Sequence, residues 1–286
     1  MTDCKPCKKP CSPNHHLLPN DIPILSYPKS YRSLVGALQY LTITRPDLSF
    51  AIQQACQHMS TPTHNHLQAT KRILRYLQGS LHSGIAFTLG PISLSAYSDA
   101  DWAGDPVGRC SITSMVVFLG NSPITWSTKK QCTVSRSSTE AKYRALASTT
   151  VELYWLRMLF RDFGIFLPQP PLLWCDNVSA LAIASNPVFH ARTKHIEVDY
   201  HFVREKVLRR DLLIKFISTH DQLADLFTKG LPSPRFNWLT SKLMWKFPIR
   251  LRGDDSASSE SNIEGEEATV PMASSQSKTV SCSKVI

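Results

Sequence analysis

The hydrophobic pattern changes near residue 91, and this change constrains the fold more than any other feature of the sequence. Three short β-rich segments follow it, at residues 92–101, 110–119 and 123–127, separated by Gly, Asp, Asn and Pro turn signals. The pattern then continues as helix, strand, helix, helix, strand and helix to about residue 228. This order predicts an α/β domain in which helices cover a mixed sheet.

The stretch before this change has a helical period. Leu34, Ala37 and Leu41 predict one face of a first helix, and Pro46 is suited to the first turn of a second. A third helix is expected over residues 64–78. One of its stripes is apolar, and the other carries polar and basic residues that fit either a solvated face or a phosphate-contacting ridge.

The two ends of the chain differ from the part between them. The N-terminal end is rich in proline, whereas the C-terminal end is Ser-rich and acidic, and residues 253–286 contain no Trp, Tyr or Phe. Such a composition predicts a disordered tail. We therefore expect a linker (1–26), a helical segment (27–90), an α/β domain (91–246) and a disordered tail (247–286).

The formal charge of +10 is unevenly distributed. Residues 253–286 hold six acids and two lysines, a charge of −4, so residues 1–252 carry +14. This basic part favours an anionic partner. The sequence contains no apolar run of the roughly 20 residues that a membrane span needs, and its N-terminus has no apolar signal region. We therefore expect an intracellular protein, cytoplasmic or nuclear, that is neither secreted nor membrane-bound.

Four acids lie where predicted elements begin or end: Asp99, Glu140, Asp176 and Asp225. Each has a structural explanation of its own. Glu140 fits a capping box, and Asp176 fits the N-cap of the next helix. Asp99 could close a turn, and Asp225 could pair with Lys229 four residues later.

Together, four converging acids would repel one another unless cations lay between them. Mg²⁺ prefers carboxylate oxygens and retained water. Two such ions can activate a water molecule and stabilise the leaving oxygen in phosphodiester hydrolysis. A metal-dependent hydrolase of a polyanion is therefore one hypothesis from the residues themselves.

Several sequence blocks resemble one family. Residues 97–105, YSDADWAGD, resemble the first-strand signature of the ribonuclease H domain in copia-type retrotransposon Pol polyproteins. Its later blocks are matched in order by SSTEAKY (137–143), CDN (175–177) and QLADLFTK (222–229). Upstream, YRSLVGALQYL (31–41) and TRPD (44–47) resemble the helical end of the reverse transcriptase in the same polyprotein.

The resemblance implies a ribonuclease H-like, mixed five-stranded sheet flanked by helices and preceded by a small helical segment. It also implies metal-dependent endonucleolytic cleavage of RNA in RNA–DNA hybrids, with two Mg²⁺ ions, or Mn²⁺ in their place. The four acids would be both the catalytic and the metal-binding residues. Asp99 would bridge both ions, Glu140 and Asp176 would hold one, and Asp225 would hold the other.

The expected partners are an RNA–DNA hybrid and a reverse transcriptase polymerase domain, with neither a membrane nor a small-molecule substrate. Four basic residues are candidate phosphate contacts: Lys71, Arg75, Lys129 and Lys130. The polymerase aspartate pair is missing, since Asp254-Asp255 in the tail is the one Asp-Asp in the chain.

Two alternatives remain open. One is a catalytically inactive, nucleic-acid-binding remnant of the same fold. The other is an integrase or transposase, which the Asp-Glu-Asp-Asp order of the acids disfavours.

Overall fold

The computed structural model describes residues 4–13, 17–18, 23–185 and 197–247. Residues Met1–Pro248 form one compact unit. From Pro248 onwards, the segment predicted to be a disordered tail lies outside the described residues. No helix in the described part of the chain has the length and apolar character needed to cross a bilayer.

A five-stranded mixed sheet forms the centre of this compact unit, with the order β4-β3-β2-β5-β6. Strands β2 (Leu94–Asp101), β3 (Ile112–Leu119) and β4 (Ser122–Lys130) are antiparallel neighbours. Strand β5 (Leu172–Cys175) runs parallel to β2, and β6 (Leu213–Phe216) runs parallel to β5. The sheet confirms the predicted number of strands and their mixed directions.

Eight α-helices are described around this sheet. Three precede it, namely α1 (Pro28–Leu41), α2 (Ser49–Cys56) and α3 (His64–Gln78). The other five are α4 (Ser138–Asp162), α5 (Val178–Ser185), α6 (Glu197–Leu208), α7 (Asp225–Thr228) and α8 (Ser233–Ser241). The sequence pattern did not predict α8, nor the small antiparallel ribbon of β1 (Ser83–Gly84) and β7 (Trp245–Lys246).

Helices cover both faces of the sheet. Side chains on strand β3 alternate between the two faces, so this strand contributes to the core on each side. Val117 packs into a core formed with α4, α5 and α6. Its neighbours Val116 and Phe118 pack into a second core, which contains Ile52 of α2 and Ile73 of α3. The helical segment is therefore packed directly on the sheet and shares its hydrophobic core.

The predicted face of α1 is confirmed in part, since Leu34 and Leu41 are half-buried and pack against the core, but the most buried face lies to one side of it. Tyr31, Val35 and Leu38 are buried, whereas Ala37 is exposed. Both stripes obey the helical period, so the period alone could not choose between them. The tyrosine decides the rotation, because its hydroxyl donates a 2.8 Å hydrogen bond to the carbonyl oxygen of Ala55 on α2.

A buried ion pair fixes the connection between α1 and α2. Arg45 donates from Nε to Asp47 Oδ1 at 2.9 Å and from Nη2 to Asp47 Oδ2 at 2.8 Å. The hydroxyl of Tyr76 on α3 donates to Asp47 Oδ2 at 2.6 Å. Pro46 lies in a short 3₁₀ turn, Pro46–Leu48, and α2 ends at Cys56, before the end near Ser60 that the pattern predicts. The Arg-Pro-Asp motif therefore has a structural role.

Candidate active site

Asp99 and Asp176 come together because their strands are parallel neighbours. Asp99 lies near the end of β2, and Asp176 directly follows β5. The register pairs Tyr97 with Trp174, so each aspartate lies two residues beyond a paired position. The carboxyl ends of parallel strands meet at one edge of a sheet, and that edge is where sites form in such folds.

One lysine lies between these two aspartates. The Nζ atom of Lys142 on α4 is 2.7 Å from Asp99 Oδ1 and 2.5 Å from Asp176 Oδ1. Burial opposes the charged form of the lysine, but the two carboxylates outweigh this and raise its pKa above the ordinary value. Thr219 completes the surroundings of Asp176, since its hydroxyl donates to Oδ2 at 3.3 Å.

Asp225, the first residue of α7, lies beside Asp99. Lys229 links them, with its Nζ atom 2.7 Å from Asp225 Oδ1 and 3.6 Å from Asp99 Oδ2. Thr228 donates from its hydroxyl to Asp99 Oδ2 at 3.0 Å. Arg235 of α8 contacts the other carboxylate oxygen of Asp225. The i,i+4 pair with Lys229 is thus present, and it faces the other acids rather than solvent.

The two adjacent acids have opposite pKa shifts. Burial opposes ionisation of Asp99, but the charges of Lys229 and Lys142 outweigh it and hold the pKa well below its usual range. Burial raises the pKa of Asp225, and the negative charge of Asp99 raises it further. Asp99 is therefore the more firmly ionised of the two carboxyl groups.

Glu140 is held in different surroundings. Its Oε1 atom accepts from Arg144 Nη2 at 2.8 Å, and its Oε2 atom accepts from the backbone N–H of Arg136 at 2.8 Å. Ser137 caps α4 by accepting from the backbone N–H of Glu140 at 3.1 Å. One half of the predicted capping box is therefore present, the hydrogen bond to Ser137. The other half is not, because the carboxylate of Glu140 accepts from the backbone N–H of Arg136 and not from that of Ser137.

The prediction that Asp176 could be the N-cap of α5 is wrong. The N-terminus of α5 is capped by the neighbouring Asn177, whose Oδ1 atom accepts from the backbone N–H of Ala180 at 2.7 Å. Asp176 is thereby free of a capping role. Its side chain faces Lys142 and Thr219 in the acidic cluster.

The donor chemistry of this cluster fits a cation. The carboxylates of Asp99 and Asp176 already converge on one ammonium nitrogen, and such oxygens are preferred ligands of Mg²⁺. Within residues 4–13, 17–18, 23–185 and 197–247, however, no group of three or more His, Cys, Asp or Glu side chains is arranged to hold a metal ion. Three basic side chains, Lys142, Lys229 and Arg235, contact the three aspartates instead.

The chain is similar in sequence to known retrotransposon polyproteins. No protein-family model matches the chain. The Pol polyprotein of transposon RE1 from Arabidopsis thaliana is 48% identical over 244 residues, 85% of this chain. That of transposon RE2, from the same plant, is 47% identical over an equal length. The chain belongs to the copia-type retrotransposon Pol polyprotein family.

This Pol polyprotein segment covers 17% of the length of each of these two relatives. The five-stranded mixed sheet, flanked by helices and preceded by a helical segment, confirms the predicted architecture. Among solved structures, LC11-RNase H1 in complex with RNA/DNA hybrid is similar at 13% identity and a TM-score of 0.36. That match covers 48% of this chain and 94% of the other.

The four predicted phosphate contacts of the Pol segment lie in two places. Lys71 is exposed on α3. Arg75, one turn later, lines a cavity of about 460 Å³ that Lys229 also lines. Lys129 and Lys130 were expected to follow the third strand of the sheet, but β4 extends through both of them. The Nζ atom of Lys130 is 2.7 Å from Asp105 Oδ2.

Sequence reasoning missed four residues of the site: Lys142, Gln222, Arg235 and Arg72. Lys142 lies two positions after Glu140, and residues with this spacing point to different sides of a helix. That spacing could have shown that the two side chains have different neighbours. Gln222 belongs to the matched block at residues 222–229, but the sequence did not indicate its contact with Ser98. The partners of Gln222 and of Arg235 are set by the tertiary fold.

Proposed function

We propose that this Pol polyprotein segment hydrolyses the RNA strand of RNA–DNA hybrids, using two Mg²⁺ ions, or Mn²⁺, held by Asp99, Glu140, Asp176 and Asp225. The observation that supports it best is the meeting of three buried aspartates at one sheet edge around cationic groups. Family membership and the ribonuclease H-like fold are consistent with this chemistry.

Each acid has a proposed role in the site. Bound metal would supply an activated water molecule and stabilisation of the charge on the leaving oxygen. Asp99, the central and most firmly ionised carboxylate, would be shared by both ions. Asp176 is already positioned beside it. Glu140 would join after exchanging its contact with Arg144, which is its partner four residues along α4.

The cavity beside the acids supports nucleic-acid binding. Arg72 and Arg75 of α3 line it from one side, and Lys229 lines it from the side of the acids. The Nε atom of Arg72 is buried and has no hydrogen-bond partner within the described ranges. We propose that phosphates of the hybrid approach these groups, with Lys71, Lys129 and Lys130 as outer contacts. Such contacts position a strand without reading its sequence.

The proposal extends to partners and boundaries. Residues 27–90 would be the end of a reverse transcriptase and residues 91–246 the ribonuclease H domain. A polymerase domain of the same polyprotein would be the protein partner, in an intracellular setting. Selection of a hybrid over duplex DNA would come from ribose 2′-hydroxyl groups and the shallow minor groove of an A-like duplex.

Cleavage of an end-labelled RNA–DNA hybrid in Mg²⁺ tests the enzymatic part. We expect the wild type to cut the RNA strand, and Asp99→Asn to lose at least about 100-fold in rate because a shared ligand is removed. Asp162→Asn, at the exposed end of α4, is the matched control and should cut normally. Hybrid binding without cleavage above the Asp99→Asn background would favour the inactive remnant.

A further inference from the structure

Lys142 is unusual because its ammonium group joins two nearly inaccessible carboxylates. The side chains of Asp99 and Asp176 are 0% and 4% exposed, and that of the lysine is 14% exposed. Charges removed from water to this degree are stable only when they are paired and hydrogen-bonded. The lysine meets this requirement for both acids at once, through one nitrogen atom.

The charges of the whole cluster balance. Asp99, Asp176 and Asp225 contribute three negative charges when ionised. Lys142, together with the other two basic side chains of the cluster, contributes three positive charges. The basic side chains match this charge when all three acids are ionised, and Asp225 is less readily ionised than Asp99, because burial and the charge of Asp99 raise its pKa.

The three cations do not hold the acids in the same way. Lys229 is 35% exposed, and its closest carboxylate oxygen is Asp225 Oδ1, at 2.7 Å. Lys142 instead donates to Asp99 and to Asp176, and it contacts the Oδ1 atom of each. Asp99 lies on β2 and Asp176 directly follows β5, and these two strands are parallel neighbours.

We propose that Lys142 is a tethered counter-ion that stabilises the metal-free site and competes with divalent cations for Asp99 and Asp176. The inference rests on the proposed function, because it assumes that these carboxylates are metal ligands. An ammonium group and a divalent cation repel each other at such short range, so metal binding requires the lysine side chain to swing away. Its four-carbon stem permits this without movement of helix α4. Lys142 is then a positioning residue that sets the metal concentration at which the site fills.

Direct metal binding tests this without any substrate. Mn²⁺ affinity is measured by electron paramagnetic resonance, and Mg²⁺ affinity by calorimetry, for the wild type, Lys142→Met and Lys215→Met. Methionine keeps most of the length of the side chain and removes the charge. Lys215, exposed on strand β6 of the same sheet, supplies the control.

We expect Lys142→Met to bind either metal at least about tenfold more tightly than the wild type, because a competing charge is removed. Its melting temperature without metal should fall by on the order of 5–10 °C, and saturating Mg²⁺ should restore it. Lys215→Met should match the wild type in both measurements. Equal or weaker metal binding by Lys142→Met, or no binding by either protein, would overturn the proposal.

A second measurement uses the wild type and remains decisive if Lys142→Met does not fold. Reductive methylation followed by mass spectrometry reports the accessibility of each lysine. We expect Lys142 to be protected without metal and modified when Mg²⁺ is bound, with Lys215 modified equally in both states. Unchanged protection at metal concentrations that fill the site would refute displacement. Metal binding that exposes Lys142 without any hybrid cleavage would instead contradict only the proposed function.

Discussion

The side-chain amide of Gln222 donates a 3.1 Å hydrogen bond to the carbonyl oxygen of Ser98, the residue before Asp99 on strand β2. Its own oxygen accepts from the backbone N–H of Ala224 at 3.2 Å. The side chain is fully buried. Gln222 therefore fixes the turn that carries Asp225 to the strand that carries Asp99, across 124 residues of sequence.

We predict that Gln222→Ala lowers the free energy of unfolding by about 2 kcal/mol, because it leaves a buried carbonyl and a buried N–H without partners. Cleavage of the hybrid should fall on the order of tenfold or more, since Asp225 loses its fixed position relative to Asp99. Urea denaturation and initial rates measure the two effects. Gln39→Ala, at an exposed position of α1, should change neither. A stability loss with an unaltered rate would show that Gln222 has a purely structural role.

Local signals predicted the elements with the clearest periodicity. Helix α3 begins and ends where the pattern predicts. Its start is fixed by Thr63, which caps the helix through a reciprocal pair of hydrogen bonds with His66. Helix α4 runs over 25 residues, and each end lies within one residue of the bounds that the pattern predicts, about 137–163. Helix α8 was missed because Phe236 and Leu239 are its only buried residues, which is too little for a recognisable stripe.

The candidate site was only partly predictable, because local patterns do not show which elements come into contact. Its acids were found because they belong to sequence blocks, and the pair of Asp225 with Lys229 was predicted from its i,i+4 spacing. Partners that lie on other elements could not be found in this way. The contact of Lys142 with Asp99 and Asp176 depends on how α4 lies across the sheet, which no local pattern encodes.

The ion pair between Lys130 and Asp105 predicts a pH dependence of stability. Burial opposes ionisation of Asp105, but hydrogen bonds from Lys130 and from the backbone N–H of Gly108 outweigh it and lower the pKa. Because the pKa of Asp105 is lower in the folded state, its ionised form stabilises the protein at pH values above the pKa of the group in the unfolded chain, about 3.9. This contribution is lost as the pH falls through the folded value.

We therefore expect Asp105→Asn to be less stable than the wild type at pH 7. The difference should shrink steadily below about pH 4, as the wild-type carboxyl group becomes protonated. Thermal melts of both proteins over a pH series measure this. A difference that stays constant down to about pH 2 would mean that the charge of Asp105 does not contribute.

The cavity lined by Arg75 and Lys229 predicts a salt-dependent effect on hybrid affinity. Arg75→Gln should weaken binding similarly for hybrids of any sequence, because phosphate contacts carry no sequence information. The slope of log affinity against log salt concentration should decrease by about 1, the value expected for one lost phosphate contact. Fluorescence anisotropy at several salt concentrations measures both. Arg161→Gln, at the exposed end of α4, should keep the wild-type slope. An unchanged slope for Arg75→Gln would place the hybrid elsewhere.

Glu140 allows its catalytic and structural roles to be separated. Glu140→Gln keeps a side-chain oxygen that can accept from the backbone N–H of Arg136, so α4 should retain its first turn. It removes the charge that pairs with Arg144, and this 2.8 Å contact is partly exposed, so stability should change by about 1 kcal/mol or less. If Glu140 joins the metal site as proposed, cleavage should nevertheless fall by at least about 100-fold.

Arg144→Gln supplies the complementary test. It removes the partner of Glu140 and leaves the carboxylate intact, so the glutamate no longer has to exchange that contact before it can bind metal. We expect hybrid cleavage to be retained and to require less Mg²⁺ for half-maximal rate, as measured by metal titration. Retained cleavage in Glu140→Gln, together with an unchanged Mg²⁺ requirement in Arg144→Gln, would mean that Glu140 acts only at the start of α4. The site would then consist of the three aspartates.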